Sequence, residues 1–93
     1  MFKCKIQMFG LPRDITDLME VEVELEEGAG MAEVIAAMKE KIPTLEGPVI
    51  RDGENRLEDL YKFNINGRFY FDGMDFELHE NDRIALLVPA TGG

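Results

Sequence analysis

The spacing of the apolar residues changes twice along the chain, and this constrains the fold more than any other feature. Over residues 2–9 and 19–25, apolar side chains recur at every second position, as in half-buried β-strands. Over residues 31–42 they recur at every third or fourth position, which is typical of an amphipathic helix. After residue 60 the spacing of two returns. This order predicts an α+β domain in which one main helix covers one face of a mixed sheet.

The first two strands should pair as a hairpin. In "FKCKIQMF" one face carries Phe2, Cys4, Ile6 and Met8, and the other carries Lys3, Lys5, Gln7 and Phe9. In "LMEVEVELEE" the side chains predicted to face inward are Met19, Val21, Val23 and Leu25. The proline and aspartates of "LPRDITD" favour a loop between them. Antiparallel pairing would set the outward glutamates beside Lys3 and Lys5, which is a favourable cross-strand arrangement.

The helix is predicted at about residues 31–42, in "MAEVIAAMKEKI". Its apolar stripe consists of Met31, Val34, Ile35, Met38 and Ile42. Gly30 is suited to the N-cap position, and Pro43 ends the helix. Glu33 near the start and Lys39 and Lys41 near the end complement the helix dipole.

The second half of the chain should return to the sheet. Residues 44–59 read as a long connection with a short extended piece at 49–50. Later inward positions are Tyr61, Phe63, Ile65, Phe76 and Leu78, and the last strand offers Ile84, Leu86 and Val88. Asn66-Gly67 predicts a tight turn between two strands.

The order of these elements determines how the strands connect. A crossover through the helix requires the final strand to lie beside the first and parallel to it. The result is a β-grasp fold in one domain spanning residues 1–93, with residues 89–93 as a flexible C-terminal tail. Ninety-three residues are enough for one modest core.

Composition excludes several classes of function. The net charge of −9 argues against nucleic acid and anionic membrane surfaces, since both require clustered Lys and Arg, and it permits a basic protein partner. No apolar run has the length of a transmembrane helix, and the lysines near the N-terminus interrupt a signal-peptide pattern. The single cysteine excludes an internal disulfide and a Cys-based zinc site. A cytoplasmic location is expected.

Side chains capable of catalysis are scarce. Cys4 could act as a nucleophile or carry a persulfide, but its inward position favours a buried structural thiol. His79 has no second histidine or cysteine near it in sequence, which favours a surface residue. No phosphate loop, nucleophile elbow or metal-ligand pair is present. We therefore expect a chain that binds no cofactor or metal and does not catalyse a reaction alone.

The C-terminal run "LLVPATGG" is the remaining candidate. Leu87 falls on the outward face of the last strand, and Phe9 shares that face; the register of Phe69 after the Gly67 turn is ambiguous. An apolar patch beside a tail that offers no side chains suggests docking to a partner. The alternative is that Leu87 is an ordinary surface leucine.

Two segments carry a family resemblance. "FNING" and "HENDRIALLVPATGG", together with the opening order of two strands and a helix, resemble the MoaD/ThiS group of ubiquitin-like sulfur carriers, and the MoaD branch most closely. The resemblance covers nearly the whole chain in architecture, and its most specific element is a last strand followed by a proline and a terminal Gly-Gly.

The resemblance implies a function. A ubiquitin-activating-type adenylyltransferase would use ATP and magnesium to adenylate Gly93, and Gly92 would keep the chain narrow where it enters the active site. A sulfur donor enzyme would then convert the adenylate to a thiocarboxylate. The large subunit of molybdopterin synthase would then accept the tail. The residues implied to face partners are Phe9, Phe69, Leu87, Pro89, Ala90 and Thr91. Alternatives are a ubiquitin-like modifier joined to lysines through the same Gly-Gly, and a passive β-grasp binding module.

Overall fold

The first and last strands lie side by side, as the order of the elements predicts. The computed structural model describes residues 1–71 and 74–89. Its elements are β1 (Phe2–Phe9), β2 (Glu20–Leu25), α1 (Met31–Lys41), a 3₁₀ turn (Pro43–Leu45), β3 (Lys62–Ile65), β4 (Arg68–Tyr70) and β5 (Ile84–Leu87). The sheet order is β2-β1-β5-β3-β4, with β1 and β5 parallel and the other neighbours antiparallel. The α+β, β-grasp prediction is confirmed.

The β1–β2 hairpin has the predicted register. Lys3 pairs with Glu24 and Lys5 with Glu22 across the strands. At the other hairpin, Asn66 and Gly67 have φ angles of 54° and 91°, which are the positive values of a type I′ turn. Both short-range predictions rest on local chemistry, and the structure confirms both.

The core lies between the helix and the inner face of the sheet. Val34, Ile35 and Met38 of α1 are fully buried there, together with Ile6 and Leu86 from the two central strands. The prediction for Met19 is wrong: β2 begins one residue later, and the side chain of Met19 is 75% exposed. Its carbonyl still accepts a hydrogen bond from the Met8 N–H at 2.9 Å. The alternation assigned Met19 to the inner face of the hairpin, but burial also requires that another element cover that end of the sheet.

The long connection adds to the core. After the 3₁₀ turn, single-residue bridges join Glu46 to Ile50 and Ile50 to Leu57. Leu45, Val49 and Ile50 are fully buried, but of the extended piece expected at 49–50 only Ile50 forms bridges, while Val49 lies in a turn. In the part of the chain that the structure describes, no helix has the length and apolar character needed to cross a bilayer.

The helix N-terminus is capped from a distant loop. Gly30 occupies the N-cap position as predicted but has no side chain to cap with. The Asp75 carboxylate takes that role, since its Oδ1 accepts a hydrogen bond from the Met31 N–H at 2.8 Å and another from the Phe76 N–H at 2.7 Å. A Cβ at position 30 would lie 3.1 Å from Asp75 Oδ1, so glycine leaves room for the carboxylate.

These hydrogen bonds make stability depend on pH. The bond from the Met31 N–H, followed by that from Phe76, holds the pKa of Asp75 below its usual value. A carboxylate whose pKa is depressed in the folded state stabilises the fold above its unfolded pKa of about 4, and that contribution is lost as the pH falls through the folded pKa.

We predict that Asp75→Ala and Asp75→Asn lower the free energy of unfolding by about 1 kcal/mol at neutral pH, the usual value of an N-cap. Urea unfolding measures this directly. For Asp75→Asn the difference from the wild type should shrink as the pH is lowered through the carboxylate titration. Asp17→Asn, in the exposed loop after β1, is the control. A difference that is the same in acid as at neutral pH would contradict the charged cap.

Candidate functional site

The helix leaves one face of the sheet uncovered, and this outer face contains the described residues predicted to meet partners. Leu87 lies on β5, with Phe9 of β1 and Lys62 of β3 as its cross-strand neighbours. Phe9 is 47% exposed. Leu87 itself is half-buried rather than fully exposed, since neighbours flank it on both sides. The parity predicted for Phe9 and Leu87 is therefore confirmed.

The register of β4 resolves the ambiguity of Phe69. Tyr70 pairs with Phe63, whose side chain is fully buried, so Phe69 must point to the opposite, outer face. Its cross-strand neighbour there is Asn64, which in turn pairs with Ala85 of β5. Phe69 shares the face with Phe9 but lies three strand spacings away, at about 14 Å. The three apolar residues thus span the sheet without forming one compact cluster.

The exposed apolar residues that were not predicted include two next to β3 and β4. Phe71, directly after β4, is 52% exposed, and its ring lies 6.4 Å from that of Phe69. Leu60, two residues before β3, is 57% exposed. The Asn66-Gly67 turn contained the signal for Phe71, since a two-residue hairpin loop fixes the register and places position 71 opposite position 62. Phe71 thus extends the apolar surface around Phe69.

The C-terminal segment begins at the centre of the sheet. β5 lies between β1 and β3, so Pro89 leaves the sheet beside the apolar end of the outer face. Pro89 has no backbone N–H and cannot extend the ladder. The predicted site residues Ala90, Thr91, Gly92 and Gly93 lie outside the described residues.

The two other candidate side chains are not placed for catalysis. Cys4 is buried on the inner side of β1, and burial, with a smaller contribution from the charge of Asp82, raises the pKa of its thiol. His79 is exposed, as predicted; its Nδ1 contacts Glu27 Oε1, and that hydrogen bond raises the pKa of the imidazole. Among residues 1–71 and 74–89, no three His, Cys, Asp or Glu side chains converge as metal ligands.

A sheet of this order with one covering helix defines the class as a ubiquitin-like β-grasp domain. The chain belongs to the ThiS family, which it matches over residues 6–93. No curated protein sequence matches it.

Solved structures share the fold. The SAMP1 structure from Haloferax volcanii is 23% identical with a TM-score of 0.76, over 99% of this chain and 100% of the other. A putative molybdopterin converting factor subunit 1 from Pyrococcus furiosus is 24% identical with a TM-score of 0.70, over 97% of this chain and 100% of the other. Small archaeal modifier protein 1 from Methanosarcina acetivorans is 22% identical with a TM-score of 0.70, over 98% and 96%.

We predict that Leu87→Glu weakens partner binding strongly while lowering the melting temperature only slightly. Leu87 is half-buried on the outer face, so a partner would remove its remaining exposed area from water, which contributes a part of the about 1.5–3 kcal/mol of a fully buried leucine, and a glutamate there would place an unpaired charge in the interface. Ala32→Glu is the control, since it adds the same charge on the exposed side of α1. A binding assay and a thermal melt test both variants. If Leu87→Glu melts the domain, the residue belongs to the core.

We also predict that the thiol of Cys4 takes no part in sulfur transfer. Its raised pKa keeps it neutral, and burial shields it from exchange. Cys4→Ala should still be activated and loaded with sulfur, at a stability cost of about 1 kcal/mol for the small cavity. Circular dichroism and a melting curve show whether the variant is folded. If a folded variant is not loaded, the thiol rather than the terminus carries the sulfur.

Proposed function

We propose that this chain is a sulfur carrier and the small subunit of a molybdopterin synthase. The observation that carries the proposal is membership of the ThiS family, with the match extending through residue 93. In this proposal the carboxylate of Gly93 is the functional group. A ubiquitin-activating-type adenylyltransferase activates it with ATP and magnesium, a sulfur donor enzyme supplies sulfur, and the synthase large subunit receives the tail. The chain is a carrier and has no catalytic activity alone.

The chemistry requires activation because a carboxylate is a poor electrophile. An oxygen of Gly93 attacks the α-phosphate of ATP and releases pyrophosphate, which leaves an acyl-adenylate. A persulfide sulfur then attacks the carbonyl carbon and displaces AMP. A second thiol then attacks the donor sulfur of the acyl disulfide, which forms a new disulfide with the donor and releases the thiocarboxylate. Every group needed besides the carboxylate comes from other proteins, in agreement with the buried thiol of Cys4 and the Glu27-paired imidazole of His79.

The composition of the last residues supports this role. Glycine has no Cβ, so Gly92 and Gly93 allow passage through a channel too narrow for other residues. Four residues follow Pro89, and four residues span at most about 14 Å when extended. A partner docked on Leu87 and Phe9 would therefore need its active site within that reach of the sheet. In this proposal the outer face is the docking surface, and the terminus carries the sulfur.

A second function is favoured by a specific observation. Two of the similar structures are small archaeal modifier proteins, one of them with a TM-score of 0.76. A modifier requires the same activated terminus, but a lysine amine rather than a persulfide attacks the acyl group. The two functions therefore share the first step and diverge at the second nucleophile.

We predict that deleting Gly93, or adding one alanine after it, abolishes adenylation and leaves the melting temperature unchanged. The described core extends from Phe2 to Leu86, so the change removes no core contact. ATP–pyrophosphate exchange with the adenylyltransferase of the same organism measures the activity. Adenylation of the Gly93-deleted chain at the wild-type rate would overturn the proposal.

Mass spectrometry separates the two functions. The wild-type chain, incubated with its activating enzyme, ATP and a sulfur donor, should gain the mass difference between sulfur and oxygen. Lysine conjugates without that species would assign the modifier function. If neither product forms, the chain is a passive binding module.

A further inference from the structure

Apart from the edge strand β2, the outer face of the sheet carries a charge opposite to that of the whole molecule. Four of the ten basic residues project from it or border it: Lys3 and Lys5 on β1, Lys62 on β3, and exposed Arg83 one position before β5. The outward positions of β1, β5, β3 and β4, all of them described, include no carboxylate. The nearest acidic strand is β2 at the edge, with Glu20, Glu22 and Glu24.

These cations are not neutralised by carboxylates within the described part of the fold. Within residues 1–71 and 74–89, none of the four side chains forms an ion pair within 4.0 Å. The Lys62 ammonium donates a hydrogen bond to the Asp59 carbonyl at 2.9 Å, which leaves its charge without a carboxylate partner. The basic residues on the opposite side differ, since Lys39 pairs with Glu46, and Arg51 pairs with Glu58 and Asp59.

The cations and the apolar residues are interleaved in a defined order. Lys62 is the direct neighbour of Leu87, in the row that also contains Phe9. In the next row Gln7, Ala85, Asn64 and Phe69 are uncharged, and Glu20 of the edge strand β2 ends the row. Arg83 lies four residues from Leu87, or about 13 Å along the strand. The face therefore has a cation at its apolar end and a second cationic region at its other end.

Burial of this face imposes a requirement on the partner. A protein that covers Leu87 must also desolvate the ammonium of Lys62, and a buried charge without a counter-ion is strongly destabilising. The partner must therefore place a carboxylate opposite Lys62. A second copy of this chain would offer no carboxylate from the outward positions of β1, β5, β3 or β4 for that role.

We infer that the adenylyltransferase that activates Gly93 docks on this face through an acidic surface, with a carboxylate opposite Lys62 and further acidic groups facing Arg83 and Lys5. The inference rests on the proposed function. We choose the activating enzyme because activation precedes both sulfur transfer and lysine conjugation, so it must recognise the chain in either case. The glutamates of β2 at the sheet edge would repel the acidic enzyme surface if it docked over that strand. This repulsion would favour one orientation of the complex.

The test is ATP–pyrophosphate exchange with the adenylyltransferase of the same organism, measured as a function of the concentration of this chain. Lys62→Glu and Arg83→Glu should each raise KM about tenfold or more and leave kcat nearly unchanged. Lys41→Glu, at the exposed end of α1, is the matched control, since it changes the net charge by the same two units and should change KM less than threefold. Lys62→Met, which keeps the apolar stem, should raise KM and weaken its dependence on salt.

The outcomes are distinct. A wild-type chain that is adenylated, with KM unchanged or lowered in Lys62→Met and Lys62→Glu, would overturn the acidic surface and leave the proposed function intact. Equal effects of Lys41→Glu and Lys62→Glu would also overturn it, because net charge rather than position would then matter. No exchange with the wild-type chain would overturn the proposed function and this inference with it. A wild-type dimer in sedimentation that Lys62→Glu disrupts would assign the face to a second copy.

Discussion

The parallel pairing of β1 with β5 is the contact on which the rest of the structure depends. The β1–β2 and β3–β4 hairpins are two-stranded units, which are only marginally stable alone in water. The last strand lies between them and pairs with both, which makes one sheet whose inner face the helix can cover. The same pairing determines where the chain leaves the sheet. Because β5 is central, Pro89 leaves from the middle of the sheet rather than from an edge, beside Leu87 and Phe9.

The two faces of this sheet have separate tasks. The inner face is apolar and fully used by the core, which includes Ile6, Phe63 and Leu86. The outer face combines half-buried apolar residues with lysines and an arginine, a composition that suits contact with protein and costs little when exposed. Since stability rests on one face, the other can vary its charge and shape toward partners.

A protein of net charge −9 can present a cationic surface on β1, β5 and β3 because its carboxylates lie outside those strands. They lie on β2, on the helix and in the loops, where several hold structural positions. Asp75 caps α1. Asp82 accepts hydrogen bonds from the Asn66 side chain and the His79 N–H, which tie the β3–β4 turn to the loop before β5 and depress the pKa of Asp82. Acidic residues thus organise the loops, and basic residues are left free on the sheet.

The sequence by itself determined the helix, both hairpins, the buried alternation and the parallel crossover, because these follow from local periodicity, turn chemistry and chain connectivity. It also predicted that Phe9, Leu87 and the terminal glycines are site residues. Only the tertiary structure decided the rest. The register of β4 turned Phe69 outward, the extent of cover left Met19 in solvent, and Asp75 reached the Met31 N–H from 44 residues away. Net charge suggested a basic partner, whereas strand pairing gathers Lys5, Arg83 and Lys62 on one face. Charge and capping act through space, and residues that are distant in the chain become neighbours only when the sheet closes.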